Sequence, residues 1–250
     1  MQTPFPAQQW LESLSVRQGR ARELRAKALE EQRQSGYFHT LPEICRQPQT
    51  WRETCELMIK STAAVNASLR GAKSLIFTGS GSSEYAGDCF KRVVYLGSGA
   101  RYGAAREAAL KMLEMTAGRV TSLYESYLGL RHGPMSYIDS NTLVVCFISS
   151  DQTRRGYETD LLRELSRKSL GLRKLIVGEA IPAGVTGPED VVVECRGLKQ
   201  LGDRNAVLVD AVVAQLLAFF RCMQEGLHPD SPSRDNVINR VVQRFPLYGT

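Results

Sequence analysis

A glycine turn that follows an apolar strand occurs twice in this chain, and the two copies lie close together. Residues 74–81 read SLIFTGSG and residues 92–99 read RVVYLGSG, so the second copy begins 18 positions after the first (92 − 74 = 18). A parallel strand–helix–strand unit needs about 30 residues, because its crossover alone takes a dozen or more. Only the ten residues 82–91 separate the two copies. We therefore interpret them as the opening strands of two similar domains whose intervening sequence is absent.

The size and composition of the chain are ordinary for a soluble globular protein. Its 250 residues are 43% hydrophobic and 23% charged, which allows one domain or two small ones. The six cysteines form no C-x-x-C pair and no ligand cluster with the three histidines, so we expect reduced thiols, a cytoplasmic protein, no metal and no cofactor. No apolar segment typical of a signal peptide opens the sequence. The apolar stretch 206–223 contains Asp210, Gln215 and Arg221, which favours a buried core helix over a membrane span.

The net charge of +6 suits either an anionic small molecule or nucleic acid as a ligand. Much of the positive excess lies in the first 34 residues, where it is interleaved with Glu23, Glu30 and Glu31. Interleaved charges are typical of a solvated helix face. The sequence contains no zinc-finger spacing and no evident helix–turn–helix pattern. We therefore expect a small-molecule ligand, and neither a nucleic-acid nor a membrane partner.

Helical segments and short apolar strands alternate through the second half of the chain. A polar helix over 7–34 and a turn-rich connector over 36–48 are predicted to precede them. The further predicted strands cover 120–124, 142–148, 173–177 and 190–195, and the predicted helices cover 104–117, 157–168 and 205–225. This alternation predicts an α/β fold of three layers, in which helices flank a mostly parallel sheet. An extra N-terminal helical segment is added to it.

Three charged residues share one face of the helix that follows the second glycine turn. Glu107, Lys111 and Glu114 stand at positions i, i+4 and i+7, a spacing that places them on the same side. They form either a surface ion ladder or a carboxylate base held by a neighbouring ammonium. The helix begins just after Gly99, so the positive end of its dipole faces any ligand bound in that crevice.

The motif RHGP at 131–134 offers a candidate base. Pro134 suits the first position of a short helix, which would place His132 just before that helix begins. The helix dipole there favours a neutral imidazole that can accept a proton. The alternative is a hydrogen-bonded loop histidine without a chemical role.

Two serine-rich turns could contact a ligand. The first surrounds the first glycine turn, where hydroxyl and backbone N–H groups could hold sugar or phosphate oxygens. Its polar residues are Thr78, Ser80, Ser82 and Ser83. The second follows the predicted strand 142–148 and contains Ser149, Ser150 and Thr153. For this second turn, helix capping is favoured over ligand binding.

Taken together, several stretches resemble the sugar isomerase (SIS) domain family. The resemblance covers roughly residues 41–246, apart from a junction near Phe90. The subgroup that it most resembles is the tagatose-6-phosphate ketose/aldose isomerases, also described as galactosamine-6-phosphate deaminase/isomerases. The matching stretches are TGSGSSEYAGD (78–88), YLGSGA (95–100), AREAALKMLEMTAG (105–118), LRHGP (130–134) and NRVV (239–242).

The resemblance implies two SIS domains that flank one sugar-phosphate site, and metal-free acid–base chemistry there. It implies that Glu114 moves the proton between C1 and C2 of the open-chain sugar, a task suited to a carboxyl group whose pKa is raised in a closed site. It also implies that His132 opens the sugar ring and reaches into a partner subunit's site. The implied substrate-binding residues are Gly81, Ser82 and Ser83 at the phosphate, with Glu107 and Lys111 setting the charge around Glu114.

The chain departs from the family's pattern at the main phosphate loop. A Ser-x-Ser-Gly-x-Ser/Thr turn should stand between Cys89 and Arg92, within an absent segment on the order of 100 residues. We therefore expect a helical segment over 1–71, a first-domain remnant over 72–90, a SIS domain over 91–228 and a tail over 229–250. Exposed half-domain surface favours a homo-oligomer. Three functions stay open: an isomerase or deaminase, a non-catalytic sugar-phosphate-binding or regulatory module, and an inactive remnant.

Overall fold

The computed structural model describes residues 19–47 and 90–233. The first glycine turn, with Gly81, Ser82 and Ser83, and the predicted first-domain remnant up to residue 89 lie outside the described residues.

Within the described residues five parallel strands form a single sheet in the order β2-β1-β3-β4-β5. The strands are β1 Arg92–Leu96, β2 Thr121–Glu125, β3 Thr142–Phe147, β4 Arg173–Gly178 and β5 Val191–Glu194. Every residue of the central strand β3 is buried, as its continuous apolar run predicts for a parallel strand covered on both faces. The chain leaves β1 for the edge strand β2 and then returns to the other side of β1 at β3. This reversal opens a crevice at the carboxyl ends of β1 and β3.

Helices cover both faces of the sheet, so the predicted three-layer α/β fold is confirmed. The helices are α1 Gly19–Ala26, α2 Leu29–Gln34, α3 over 40–47, α4 Ala100–Met115, α5 Tyr127–His132, α6 Gln152–Arg167, α7 Leu198–Leu201 and α8 Asp203–Gln224, with a 3₁₀ turn at Pro134–Tyr137. One face is packed by α4, α7 and α8, and the opposite face by α5 and α6. The strands and helices predicted after the second glycine turn are all present, with ends that differ by a few residues.

The longest helix, α8, lies at the centre of the helical packing. Its length and composition would suffice for a membrane span, but 72% of its most apolar window is buried inside the fold. Leu217 packs into the core against the sheet, and Phe219 packs on the other side against the N-terminal helices. The predicted core helix is therefore confirmed, since two separate apolar clusters account for its hydrophobicity.

The N-terminal segment differs from its prediction in two respects. Within the described residues the single polar helix is divided into α1 and α2, and the predicted connector contains the helix α3. Leu41 and Ile44 of α3 are buried against α8. The cap of α3 comes from the far end of the chain: Asp230 accepts hydrogen bonds from the N–H groups of His39 (3.1 Å) and Thr40 (2.8 Å). Sequence reasoning missed this helix because its capping residue is 190 positions away.

We expect Asp230→Ala to lower the free energy of unfolding by about 1–2 kcal/mol, because it removes the acceptor for two backbone N–H groups at the start of α3. Urea denaturation measures this loss. Asp230→Asn is the matched control, since asparagine also caps helices and should cost less than half as much. Equal losses in the two variants, or none in Asp230→Ala, would contradict the capping role.

Candidate active site

The second glycine turn connects β1 to α4 and needs glycine at both ends for different reasons. A Cβ at Gly97 would clash with the carbonyl oxygen of Arg101 in the first turn of α4. Gly99 has φ +58°, a conformation that other residues adopt only with strain. The turn therefore starts α4 at the carboxyl end of β1, as the sequence predicted.

The charged residues predicted to share a face of α4 are brought together. Lys111 Nζ lies 3.7 Å from Glu107 Oε1 and donates a hydrogen bond to Glu114 Oε2. The side chain of Lys111 is 16% exposed, whereas Glu107 and Glu114 are 30% and 36% exposed. One ammonium thus stands between two carboxyl groups that solvent or a ligand can reach.

The two carboxyl groups differ in their surroundings. Burial raises the pKa of Glu107, an effect that Lys111 partly opposes and the charge of Glu114 reinforces. Glu107 Oε1 is buried and has no hydrogen-bond partner among the described residues, whereas Glu114 is hydrogen-bonded to the ammonium. Two carboxyl groups in unlike environments are an arrangement that suits proton transfer.

The surface of α4 around these groups also exposes large apolar side chains. Leu110 is 47% exposed and Leu113 is 38% exposed. We define the α4 surface by Glu107, Leu110, Lys111, Leu113 and Glu114, and treat it as the candidate site.

The candidate base His132 does not join the α4 surface within one chain. It is exposed and is the last residue of α5, on the face of the sheet opposite to α4. Pro134 does begin a short 3₁₀ helix, as predicted. His132 therefore lies just before that helix, as predicted, but it is also the last residue of α5, which the sequence analysis did not predict. Helix ends of opposite partial charge therefore flank it.

A buried ion cluster that sequence reasoning missed lies behind the Gly97–Gly99 turn. Arg101 is fully buried and donates from Nη1 to the carbonyl oxygen of Ile148 at 2.5 Å. Its Nε lies 3.5 Å from Asp210 Oδ2 and 3.7 Å from Asp203 Oδ1. In the sequence this cluster is indicated only by an arginine just after a glycine turn and by an aspartate inside the most apolar helix. Nothing local indicated that they meet.

The second serine turn interacts with the same cluster. Ser150 donates its backbone N–H to Asp203 Oδ1 at 2.8 Å, and the Ser149 hydroxyl donates to the other oxygen. The cap of α6 is Asp151, which accepts from the Arg154 N–H at 2.9 Å. The prediction that the serines of this turn cap the helix is therefore wrong for Ser149 and Ser150, because an aspartate stands closer to the helix start.

Asp210 should make the stability of the fold depend on pH. Burial raises its pKa from 3.8 to about 7, with Arg101 opposing the rise and Asp203 and Glu158 adding to it. Between those two values the folded state keeps a proton that the unfolded chain loses, so stability falls as pH rises. We expect the Tm to drop by roughly 3–8 °C from pH 5 to pH 8, and Asp210→Asn to flatten that slope. A Tm that rises over this range, or an unchanged slope in Asp210→Asn, would contradict the assignment.

Within residues 19–47 and 90–233 no group of three or more His, Cys, Asp or Glu side chains could hold a metal ion. Three of the described cysteines, Cys146, Cys195 and Cys222, are buried, and no disulfide joins any two of the four described cysteines.

Comparison with known proteins matches part of the α/β unit to the pattern of one family. The SIS domain family pattern matches residues 88–168. The D-galactosamine-6-phosphate deaminase AgaS of Escherichia coli O157:H7 is 42% identical over 155 residues, which are 62% of this chain and 40% of that protein. The chain thus spans about two fifths of the length of this curated relative.

Two solved structures resemble the fold. The crystal structure of tagatose-6-phosphate ketose/aldose isomerase from Escherichia coli superposes with a TM-score of 0.54 at 38% identity, over 60% of this chain and 39% of that one. A protein of Clostridium novyi NT, named as a candidate for the same isomerase, gives a TM-score of 0.56 at 29% identity, over 85% of this chain and 51% of that one. Both of these proteins are longer than this chain, and the superposition covers about half of their length or less.

Proposed function

Because residues 88–168 of this chain are a SIS domain, we propose that the protein acts on a hexose 6-phosphate, as an aldose/ketose isomerase or an amino-sugar-phosphate deaminase/isomerase. The α4 surface carries this proposal. It holds two carboxyl groups and one ammonium within reach of a ligand. Proton transfer between adjacent carbons uses acidic and basic groups of this kind. The similarity to a galactosamine-6-phosphate deaminase and to a tagatose-6-phosphate isomerase supports the choice of substrate class.

In the proposed reaction Glu114 removes a proton from one carbon of the open-chain sugar and returns it to the neighbouring carbon. Lys111 holds the Glu114 carboxylate in place through its hydrogen bond. It also supplies positive charge next to the enediol or enolamine that forms between the two transfers. Glu107 lies on the other side of the ammonium, and its raised pKa suits a group that donates a proton to a substrate oxygen.

The remaining proposed roles need groups outside the α4 surface. His132 opens the sugar ring, and its position on the opposite face of the sheet supports action at the site of a second subunit. Gly81, Ser82 and Ser83 would contact the phosphate group. We accordingly propose a cytoplasmic homodimer in which residues 91–228 form the SIS domain and 72–90 are the remnant of another.

The test is to incubate the full chain separately with tagatose 6-phosphate and galactosamine 6-phosphate. Nuclear magnetic resonance follows aldose–ketose interconversion, and an enzymatic assay follows ammonia. Interconversion without ammonia identifies the isomerase, and ammonia release from the amino sugar identifies the deaminase. If the chain turns over neither substrate, the proposal that it is an enzyme of this class is overturned.

A non-catalytic sugar-phosphate-binding module is the second candidate. The separation of His132 from the α4 surface favours it, because one chain alone does not assemble all the proposed groups. Thermal unfolding with the same sugar phosphates separates the two cases. A ligand at 100 times its Kd adds about 2.7 kcal/mol, or roughly 5–10 °C for a chain of this size. A shift without turnover supports the binding module, and no shift with either ligand contradicts both candidates.

A further inference from the structure

The crevice between β1 and β3 lies where doubly wound sheets take their ligands, yet the α4 surface is outside it. Two turns border the crevice: Gly97–Gly99 after β1 and 148–151 after β3. The helices α4 and α6 begin directly after these turns, so their positive ends meet there. A third helix, α8, also begins at this place, because its first residue Asp203 contacts the second turn.

The carboxylate of Asp203 is surrounded by the donors that a bound anion would need. It accepts a hydrogen bond from the Ser150 N–H at 2.8 Å and one from the Ser149 hydroxyl. Arg101 Nε lies 3.7 Å from one of its oxygens, and Arg154 Nη1 lies 3.9 Å from the other. A backbone N–H, a hydroxyl and two guanidinium groups are a donor set typical of phosphate and carboxylate binding.

The donors of this crevice exceed what Asp203 satisfies. Arg101 is fully buried, but its Nε and Nη2 atoms have no hydrogen-bond acceptor among the described residues. The buried hydroxyl of Ser150 is likewise without a partner in that part of the chain. Buried donors are nearly always paired in native proteins. Three buried carboxyl oxygens of the same cluster, Asp210 Oδ1, Asp210 Oδ2 and Glu158 Oε1, also lack a hydrogen-bond partner among the described residues, so the leftover donors can hold an anion only in competition with these groups.

Two other carboxyl groups limit the charge that the crevice accepts. Asp210 lies on α8 with an oxygen 3.5 Å from Arg101 Nε, and Glu158 on α6 accepts the Ser149 N–H at 2.7 Å. Both are fully buried. With Asp203 they make three carboxyl groups around two arginines, so the crevice accepts an outside anion only in place of Asp203.

We propose that the crevice is a binding site for one carboxylate or phosphate group, and that Asp203 occupies it as an intramolecular ligand. The site is therefore closed to outside anions while Asp203 is in place, and an outside oxyanion binds once that side chain is removed. A sugar phosphate consequently does not place its phosphate group in the crevice while Asp203 occupies it. This inference does not depend on whether the chain turns over a sugar.

Chemical rescue tests the proposal. Asp203→Ala should unfold at a lower temperature than the wild type, and titration with sodium formate or inorganic phosphate should restore at least half of the lost Tm along a saturating curve. Sodium chloride at the same ionic strength serves as the salt reference. Asp230→Ala is the matched control, because Asp230 also serves donors at a helix start, but no arginine pairs with it among the described residues.

A third variant shows whether the rescuing anion lies where Asp203 was. Arg154 is half exposed, so Arg154→Met can be added to Asp203→Ala without leaving a cavity in the core. The double variant should bind formate about five- to tenfold more weakly, which corresponds to the loss of one charge-assisted contact. Asp203→Ser replaces Asp203→Ala if the latter does not fold.

Three results would overturn the proposal. One is a Tm rise of the same size in Asp203→Ala, Asp230→Ala and the wild type, which would show a general salt effect. The second is the absence of any saturable rise in Asp203→Ala and Asp203→Ser. The third is an unchanged formate affinity after Arg154→Met, which would place the anion elsewhere.

Discussion

Glu114→Gln is expected to lower kcat for the proposed sugar-phosphate reaction by about 10²–10⁴. Glutamine keeps the size of the side chain and a carbonyl oxygen for the Lys111 ammonium, but it cannot take up the proton. Binding of the sugar phosphate should change little, so the loss appears in kcat while KM stays within a few-fold of the wild type. Steady-state kinetics together with ligand-induced Tm shifts measure the two quantities separately.

Glu31→Gln is the matched control for this experiment. Glu31 is also hydrogen-bonded to a lysine four residues away, Lys27, but it lies on the exposed N-terminal segment. Its replacement should leave kcat unchanged. Turnover of Glu114→Gln at the wild-type rate would remove Glu114 from the mechanism, and an equal loss in both variants would show that the effect is not local to the α4 surface.

A pH profile adds a readout that a structural defect would not reproduce. Lys111 lowers the pKa of Glu107, so Lys111→Met should raise that pKa further. If Glu107 acts as the proton donor, the pH optimum of turnover in Lys111→Met moves to higher pH. A lower rate with an unchanged pH optimum would be consistent with a binding role for Lys111. It would contradict the claim that Lys111 controls turnover through the pKa of Glu107.

Arg101→Met is expected to destabilise the fold by about 3–5 kcal/mol, because it leaves buried carboxyl groups without their counter-charge. Arg101 and Asp210 are both fully buried, and Asp203 is nearly so. The substitution also removes the donor to the Ile148 carbonyl oxygen. Urea denaturation measures the loss directly.

Arg131→Met is the control for the burial argument. Arg131 also pairs with two carboxylates, Glu164 at 2.8 Å and Asp160 at 3.3 Å, but its side chain is 30% exposed. Its replacement should cost no more than about 1 kcal/mol. In a double-mutant cycle, adding Asp210→Asn to Arg101→Met should recover part of the loss, because the amide carries no charge to bury. Similar costs for Arg101→Met and Arg131→Met would contradict the importance of burial.

The strands of the sheet could be predicted because their signal is local. The apolar run of β3 and the two glycines of the second turn indicate a buried parallel strand and a tight strand–helix connection without reference to distant residues. The i, i+4, i+7 spacing of Glu107, Lys111 and Glu114 likewise placed them together, since helix geometry alone determines which of them are neighbours.

The features that the sequence did not reveal depend on contacts between distant positions. The start of α3 depends on Asp230, and the buried charge of Arg101 is compensated by Asp203 and Asp210, about 100 residues further along the chain (203 − 101 = 102). His132 lies just before a short helix, as expected, but it also ends a preceding helix that was not predicted. Periodicity and residue type report the local backbone and which side faces the core. They carry no information on which buried polar groups will meet, because those groups are brought together by the packing of α8 against α4 and by the contact of its first residue, Asp203, with the turn after β3.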